Sequence, residues 1–230
     1  MTTDEIPRIF PLGNGALTVE FGRDLSVSLN ESAIALANYF DANPFAGYIE
    51  SAPAYASTTI FFDVPLVRRS CPDYQTAFDA VKHMVESILP MCDIATTVEG
   101  RHVEIPVRFT EVAGPDLSIV AEFSGLTEQK VVDLFLSVDY RVYMIGFLPG
   151  FPYMGEVDER IAIPRKTSPR VRVPKGSIGI GGRQTGIYPF DSPGGWQIIG
   201  RTDLDLFDPV KRNPCLLEAG DTVRFVNIDG

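Results

Sequence analysis

Residues 181–200 read GGRQTGIYPFDSPGGWQIIG, and the reading of this stretch decides the fold of the second half of the chain. Its apolar runs, QTGI and WQIIG, are too short for helices and suit strands that end in tight turns at glycine and proline. The stretch also holds the chain's one tryptophan, Trp196, near Gln184 and Tyr188, whose polar groups can face a ligand. The same texture continues outward. YRVYMIGF, RVRVP and SIGI precede it, LDLF and TVRFVNI follow, and Gly, Pro or Asp bounds each run. Short strands of this kind predict a closed or nearly closed β-barrel, with glycines at corners where strands bend.

Further upstream, HVEIPVRF alternates Val103, Ile105, Val107 and Phe109 with polar or small neighbours, which predicts a strand. Helices are expected over 115–123 and 127–137. Before residue 100 the texture changes, and only four of the chain's 20 glycines lie there. Strand-like runs flank Gly13-Asn14-Gly15, a hairpin signal. VSLNESAIALANYF, residues 27–40, carries apolar positions at helical spacing. YIESAPAYASTTIFFDV supplies two strands split near Pro53. In PDYQTAFDAVKHMVESIL, Tyr74, Ala77, Phe78, Val81, Met84, Val85 and Ile88 share a helical face, with Pro72 in the first turn and His83 on the polar side. The fold class read from this is α+β: a small N-terminal α+β domain over 1–99, ending near Glu99, then a β-barrel domain over 100–230.

Composition narrows the function. A 45% hydrophobic chain of 230 residues has an ordinary core, and no apolar run is long enough to span a membrane. MTTDEIPRIF lacks the basic start and apolar centre of a signal peptide, so a cytoplasmic location is expected. A net charge of −10 argues against nucleic acid as a partner. Cys71, Cys92 and Cys215 are widely spaced and read as buried, reduced thiols, not as a disulfide framework or zinc site. Only His83 and His102 are present, no GxSxG occurs, and GIGGRQTG lacks the Lys-Ser end of a phosphate loop. These absences argue against a Ser-His-Asp hydrolase, no metal site is expected, and no catalytic residue stands out.

Charge is the most informative local feature. Between Glu159 and Asp191 there is no acidic residue, while Arg160, Arg165, Lys166, Arg170, Arg172, Lys175 and Arg183 are basic. Arginine's planar fork suits carboxylate or phosphate, so the run is either an anion site or a solvated strand edge kept from aggregating. GFLPGFPYMG, residues 146–155, is restrained at Pro149 and Pro152 and carries Phe147, Phe151 and Tyr153. It is either a pocket wall or partner contact, or a plug on one end of the barrel. The substrate-binding set expected at one barrel mouth is Arg165, Arg170, Arg172, Gln184, Thr185, Tyr188, Trp196 and Arg201.

These motifs together carry a resemblance. GPDLSIVAEFSGL, VVDLFLSVDYRVYMIGFLPGFPYMG, IPRKTSPRVRVPKGSIGIGGRQTGIYPFDSPGGWQIIGRTDLDLFDP and LLEAGDTVRF resemble the B subunit of 5-oxoprolinase. The family also holds the KipI kinase inhibitors, allophanate hydrolase subunit 1 and the matching part of the urea amidolyase carboxyltransferase domain, subdomains C and D. The resemblance spans essentially the whole chain and is densest from Gly114 to Phe225. It implies a cyclophilin-like barrel and a subunit inactive alone, which joins a second cyclophilin-like subunit, the C subunit of 5-oxoprolinase, and a third to open 5-oxoproline with ATP bound by the complex. The implied substrate is a small anionic amide or carboxylate, held in a cleft shared with the partner. The alternative is a regulatory protein that inhibits a sensor histidine kinase; prolyl isomerisation is a weaker reading, because fold does not fix function. One departure stands out: where the family has a Leu-His pair before the aromatic loop, this sequence reads Leu134-Phe135.

Overall fold

A computed structural model describes residues 7–92 and 100–229, and the chain divides into two compact units, Met1–Val98 and Glu99–Gly230. The boundary expected near Glu99 lies outside the described residues, as do Met1–Ile6 and the Cys92 side chain. The fold is α+β.

The first unit runs β1 (Arg8–Pro11), β2 (Ala16–Glu20), α1 (Val27–Ala42), β3 (Tyr48–Ala54), β4 (Ser57–Phe62), α2 (Val64–Ser70) and α3 (Ala77–Cys92). Its antiparallel sheet has the order β1-β2-β4-β3. Leu36 and Phe40 of α1 and Val81 and Val85 of α3 are buried with Leu17, Val19 and Ile60 of the sheet. Three details differ from the sequence reading. Pro53 lies within β3, and the chain turns at Tyr55. Helix α2 was not anticipated; the Asp63 carboxylate caps it by accepting from the Leu66 amide at 2.8 Å. Helix α3 starts at Ala77, not at Pro72, because Thr76 and Asp79 bond each other's amides at 3.0 and 3.1 Å, a reciprocal N-terminal cap. His83 is exposed, with its ring 5.5 Å from that of Tyr74.

The second unit runs β5 (His102–Val107), α4 (Leu117–Ser124), α5 (Glu128–Leu136), β6 (Tyr140–Ile145), β7 (Pro152–Gly155), a 3-10 turn at Glu159–Ile161, β8 (Arg170–Val173), β9 (Ser177–Gly181), β10 (Gln184–Ile187), β11 (Ser192–Gly194), β12 (Gln197–Arg201) and β13 (Thr222–Asn227). Seven strands form one sheet in the order β12-β9-β10-β7-β6-β13-β5, and β8 pairs with β11 beside it. The two ends of the seven-stranded sheet meet. Arg108, just past β5, and Arg201, ending β12, exchange main-chain hydrogen bonds of 2.8 and 2.9 Å, so the sheet is nearly closed into a barrel. Its interior is filled by Ile105, Val142, Met154, Ile178, Ile180 and Phe225, with α4 and α5 packed on it. LDLF does not form a strand; Phe207 makes only a bridge to Cys215. The second half of the aromatic loop, by contrast, is strand β7. Cys71 and Cys215 are free and half-buried, more exposed than expected. Among the described residues no helix is long and apolar enough to cross a membrane.

Candidate functional site

The glycines of 179–194 do not mainly turn corners. Along β9, side chains alternate, so Ile178 and Ile180 enter the barrel core while Gly179 and Gly181 face outward. A Cβ on Gly181 would sit 3.0 Å from the Trp196 indole, and one on Gly179 would sit 2.9 Å from the Trp196 Cβ. Along β10, Gly186 faces outward beneath Phe151, where a Cβ would lie 2.8 Å from the ring. Missing side chains thus leave a bare floor on the outer wall of the barrel, and aromatic rings lie on it. Phe151, Tyr188 and Trp196 form a small separate core with Val173 and Ile198. Their rings meet edge to face: Phe151 is 5.2 Å from Tyr188 and 5.6 Å from Trp196. Only Gly182 is a turn glycine here, at φ +65° in the two-residue β9–β10 connection.

Over this aromatic floor lies a pocket of about 300 Å³. Phe147, Phe151, Tyr153, Tyr188 and Trp196 give it apolar faces; Arg165 and Lys166 give it charge; Pro169 and Pro193–Gly195 complete the wall. The Arg165 guanidinium lies 5.3 Å from the centre of the Trp196 ring, a cation–π stack. Burial pushes the phenol pKa of Tyr188 and of Tyr153 up, so both stay protonated at neutral pH and can donate hydrogen bonds. Among the described residues no His, Cys, Ser, Asp or Glu lines this pocket.

Most of the cationic run is neutralised by carboxylates, some flanking it and some brought from elsewhere in the chain. Arg170 donates to both oxygens of Asp116 at 2.6 and 2.7 Å, and Lys166 donates to the same carboxylate at 3.0 Å and to Gln197 Oε1 at 3.1 Å. Arg160 pairs with Asp158, Arg172 with Asp191, Lys175 with Asp205, and Arg183 with Glu156 and Glu159. Arg165 makes no ion pair among the described residues. Asp116 offsets only one of its two cations, so the pocket rim keeps a positive balance with Arg165 at its exposed end.

The expected site residues therefore divide. Arg165, Tyr188, Trp196, Phe147, Phe151 and Tyr153 come together in the pocket. Arg170 stands behind it, turned to Asp116. Arg172 is 76% exposed and held by Asp191, away from the pocket lining. Thr185 is wholly buried and donates to the Gly179 carbonyl at 3.0 Å, because the strand alternation points it inward. Gln184 opens β10 opposite Gly181, Arg201 helps close the barrel, and Pro149 is exposed on the loop; none of the three lines the pocket. The pocket that these residues line lies on the barrel's outer wall, whereas the sequence reading places the expected binding set at a barrel mouth. Lys166, Pro169 and Pro193–Gly195 also line the pocket but are not in the expected binding set, although Lys166 belongs to the basic run and PGGW is a close-approach motif. Phe135 sits in the barrel core, its ring 5.0 Å from those of Tyr140 and Phe225, and is a packing residue. Among the described residues no group of three or more His, Cys, Asp or Glu gathers to hold a metal.

The chain is similar over 222 residues to the 5-oxoprolinase B subunit of Bacillus subtilis, at 44% identity, covering 96% of this chain and 92% of that protein. It is 55% identical over 128 residues to the 5-oxoprolinase B subunit of Escherichia coli O157:H7, covering 56% of this chain and 59% of that one. Among solved structures, TTHA0988 superposes with a TM-score of 0.79 at 35% identity over 94% of this chain, which spans 40% of the TTHA0988 chain. Residues 7–217 match the family model described as carboxyltransferase domain, subdomain C and D. On that match and on the near full-length similarity to the Bacillus protein, the chain belongs to the carboxyltransferase subdomain C and D family, which includes the B subunits of 5-oxoprolinase.

Proposed function

We propose that this chain is one subunit of an ATP-dependent 5-oxoprolinase-type complex and that its aromatic pocket binds a small anionic amide or carboxylate at a surface shared with a partner subunit. The observation that carries the reading is the 44% identity to the Bacillus 5-oxoprolinase B subunit over 96% of the chain. The pocket supports the choice of ligand. Arg165 can grip a carboxylate bidentately while its other face stacks on Trp196, and the Tyr153 and Tyr188 phenols donate to a carbonyl. Lys166 has three donors, two of them directed at Asp116 and Gln197, which leaves one for the ligand.

The lining also supports the view that the chain works with partners. Among the described residues the lining has no histidine, thiol or carboxylate; in this reading its phenols and cations bind and orient the ligand, and the general base of amide opening comes from a partner subunit. A pocket of about 300 Å³ is at the small end of ligand sites, and two cations do not fit a nucleoside triphosphate. ATP is therefore assigned to the partner subunits.

The test is co-expression with the neighbouring subunits and assay of ATP-dependent conversion of 5-oxoproline to glutamate. Wild-type complex should turn over. Arg165→Ala should raise KM for 5-oxoproline about 10- to 100-fold, the loss of one charge-assisted pair worth roughly 1.5–3 kcal/mol, with kcat changed less. An intact but inactive complex would sink the reading; an inactive complex that copurifies with a sensor histidine kinase would favour the regulatory alternative.

A further inference from the structure

Phe147 combines an unfavourable backbone state with exposure to water. Its φ is +64°, the left-handed region that non-glycine residues avoid, and the residue is 60% exposed. The Leu148 amide donates to the Gly146 carbonyl at 2.7 Å across it, which makes a γ-turn of the rarer, strained hand. The loop is tied down on both sides. The Gly146 amide donates to the Phe151 carbonyl at 3.1 Å, and the Phe151 amide to the Leu148 carbonyl at 3.0 Å. At Gly150, φ +81°, a Cβ would lie 2.8 Å from Phe207, so the far end of the loop is pressed against the 206–207 segment.

The other described non-glycine residue with positive φ is Tyr55, at +37°, and its strain has a local return: the buried Asn30 donates to its carbonyl at 2.8 Å. Phe147 has no such return of its own. Its ring touches Phe151 edge to face at 5.6 Å, and the rest faces solvent at the rim of the pocket that also holds Arg165. Strain of this kind persists where surrounding structure enforces it, and it concentrates at ligand clamps.

We propose that Phe147 is the specificity-determining residue of the pocket: it presents its ring over the rim to lie against the flat ring of a singly negative cyclic carboxylate whose anionic end is held by Arg165. This rests on the reading of the pocket as a carboxylate site and adds the requirement for a ring. A linear carboxylate satisfies Arg165 but leaves the Phe147 face in water.

Trp196, the one tryptophan of the chain, floors the pocket, so its fluorescence reports occupancy. The experiment titrates the purified chain with 5-oxoproline, benzoate and acetate, reading Trp196 emission and, independently, calorimetry. Phe147→Ala and Phe147→Gly are expected to bind benzoate and 5-oxoproline about 3- to 10-fold more weakly, acetate unchanged, and Phe147→Tyr to restore wild-type affinity. Phe147→Gly should melt at a higher temperature than Phe147→Ala, because glycine relieves the positive φ and alanine does not. The proposal is overturned if the Ala and Gly variants bind benzoate as wild type does, if they lose acetate equally, or if wild type binds neither cyclic carboxylate. Phe147-dependent binding of benzoate with none of 5-oxoproline keeps this inference and removes the proposed substrate instead.

Discussion

Asp116 is wholly buried yet fixes one edge of the pocket. It stands just before α4, accepts from Arg170, Lys166 and the Ile198 amide, and so ties the 166–170 segment to β12. Burial pushes its pKa up, but the Arg170 guanidinium, the Ile198 amide and Lys166 pull it down further, and the group ends below the usual carboxylate range. A carboxylate with a depressed native pKa adds stability above its unfolded value of about 3.9, and that stability is lost as pH falls through the native pKa. Asp116→Asn should therefore cost about 1–3 kcal/mol at neutral pH. That is less than the roughly 3–5 kcal/mol of breaking a fully buried pair, because the side chains of Lys166 and Arg170 are 22% and 28% exposed and can turn to water. The gap between variant and wild type should shrink below about pH 4, which urea titrations at pH 3 and pH 7 would check. Asp158, held at about 2 chiefly by its hydrogen bond from Arg160, titrates in both proteins and cancels in the comparison. The same residue shows what one sequence conceals. The run from Arg160 to Arg183 reads as an acid-free cationic island; some of its counter-charges, Glu156, Asp158, Glu159 and Asp191, flank it in the sequence, but Asp116 and Asp205 are brought to it only by folding. Arg165, Tyr188 and Trp196 stand out in the sequence as a cation and aromatics among glycines and prolines, but Arg172 and Arg201 stand out in the same way and do not line the pocket.

At the scale of elements, the strands and helices of the second unit follow from period and punctuation. The errors have physical causes. LDLF has the composition of a strand, but its pairing stops at the single Phe207–Cys215 bridge. PYMG reads as loop because of its proline and glycine, yet β6 and β10 flank it and supply the ladder. The Thr76-x-x-Asp79 cap was in the sequence and outweighs Pro72 as the start of α3. What period alone did not convey is that outward glycines on β9 and β10 are absent side chains, not hinges. The same logic governs β11, where a Cβ on Gly194 would lie 2.4 Å from the Tyr188 hydroxyl oxygen. Tyr188 is buried and packed edge to face on Phe151. Gly194→Ala should destabilise the chain by about 1–3 kcal/mol through overpacking, and should shift Trp196 emission as the Tyr188–Phe151–Trp196 cluster is displaced. Unchanged emission and melting temperature would show that the cluster is looser than its edge-to-face contacts indicate.

At the scale of the molecule, each unit carries its own buried core: one around Leu36, Phe40 and Ile60, the other around Phe135, Tyr140 and Ile180. A sheet whose ends meet at Arg108 and Arg201 leaves little unpaired edge, and a chain of this length lies within the common size of one domain. We expect residues 100–230, produced alone, to unfold in a single cooperative transition. Trp196 and every residue lining the pocket lie within that segment, so its emission spectrum and its benzoate affinity should match those of the full chain. Circular dichroism melting and the fluorescence titration decide the matter together. A fragment that melts without cooperativity would show that the barrel requires the first unit for its stability. A cooperative fragment that no longer binds benzoate would show that the pocket takes support from outside the segment that lines it.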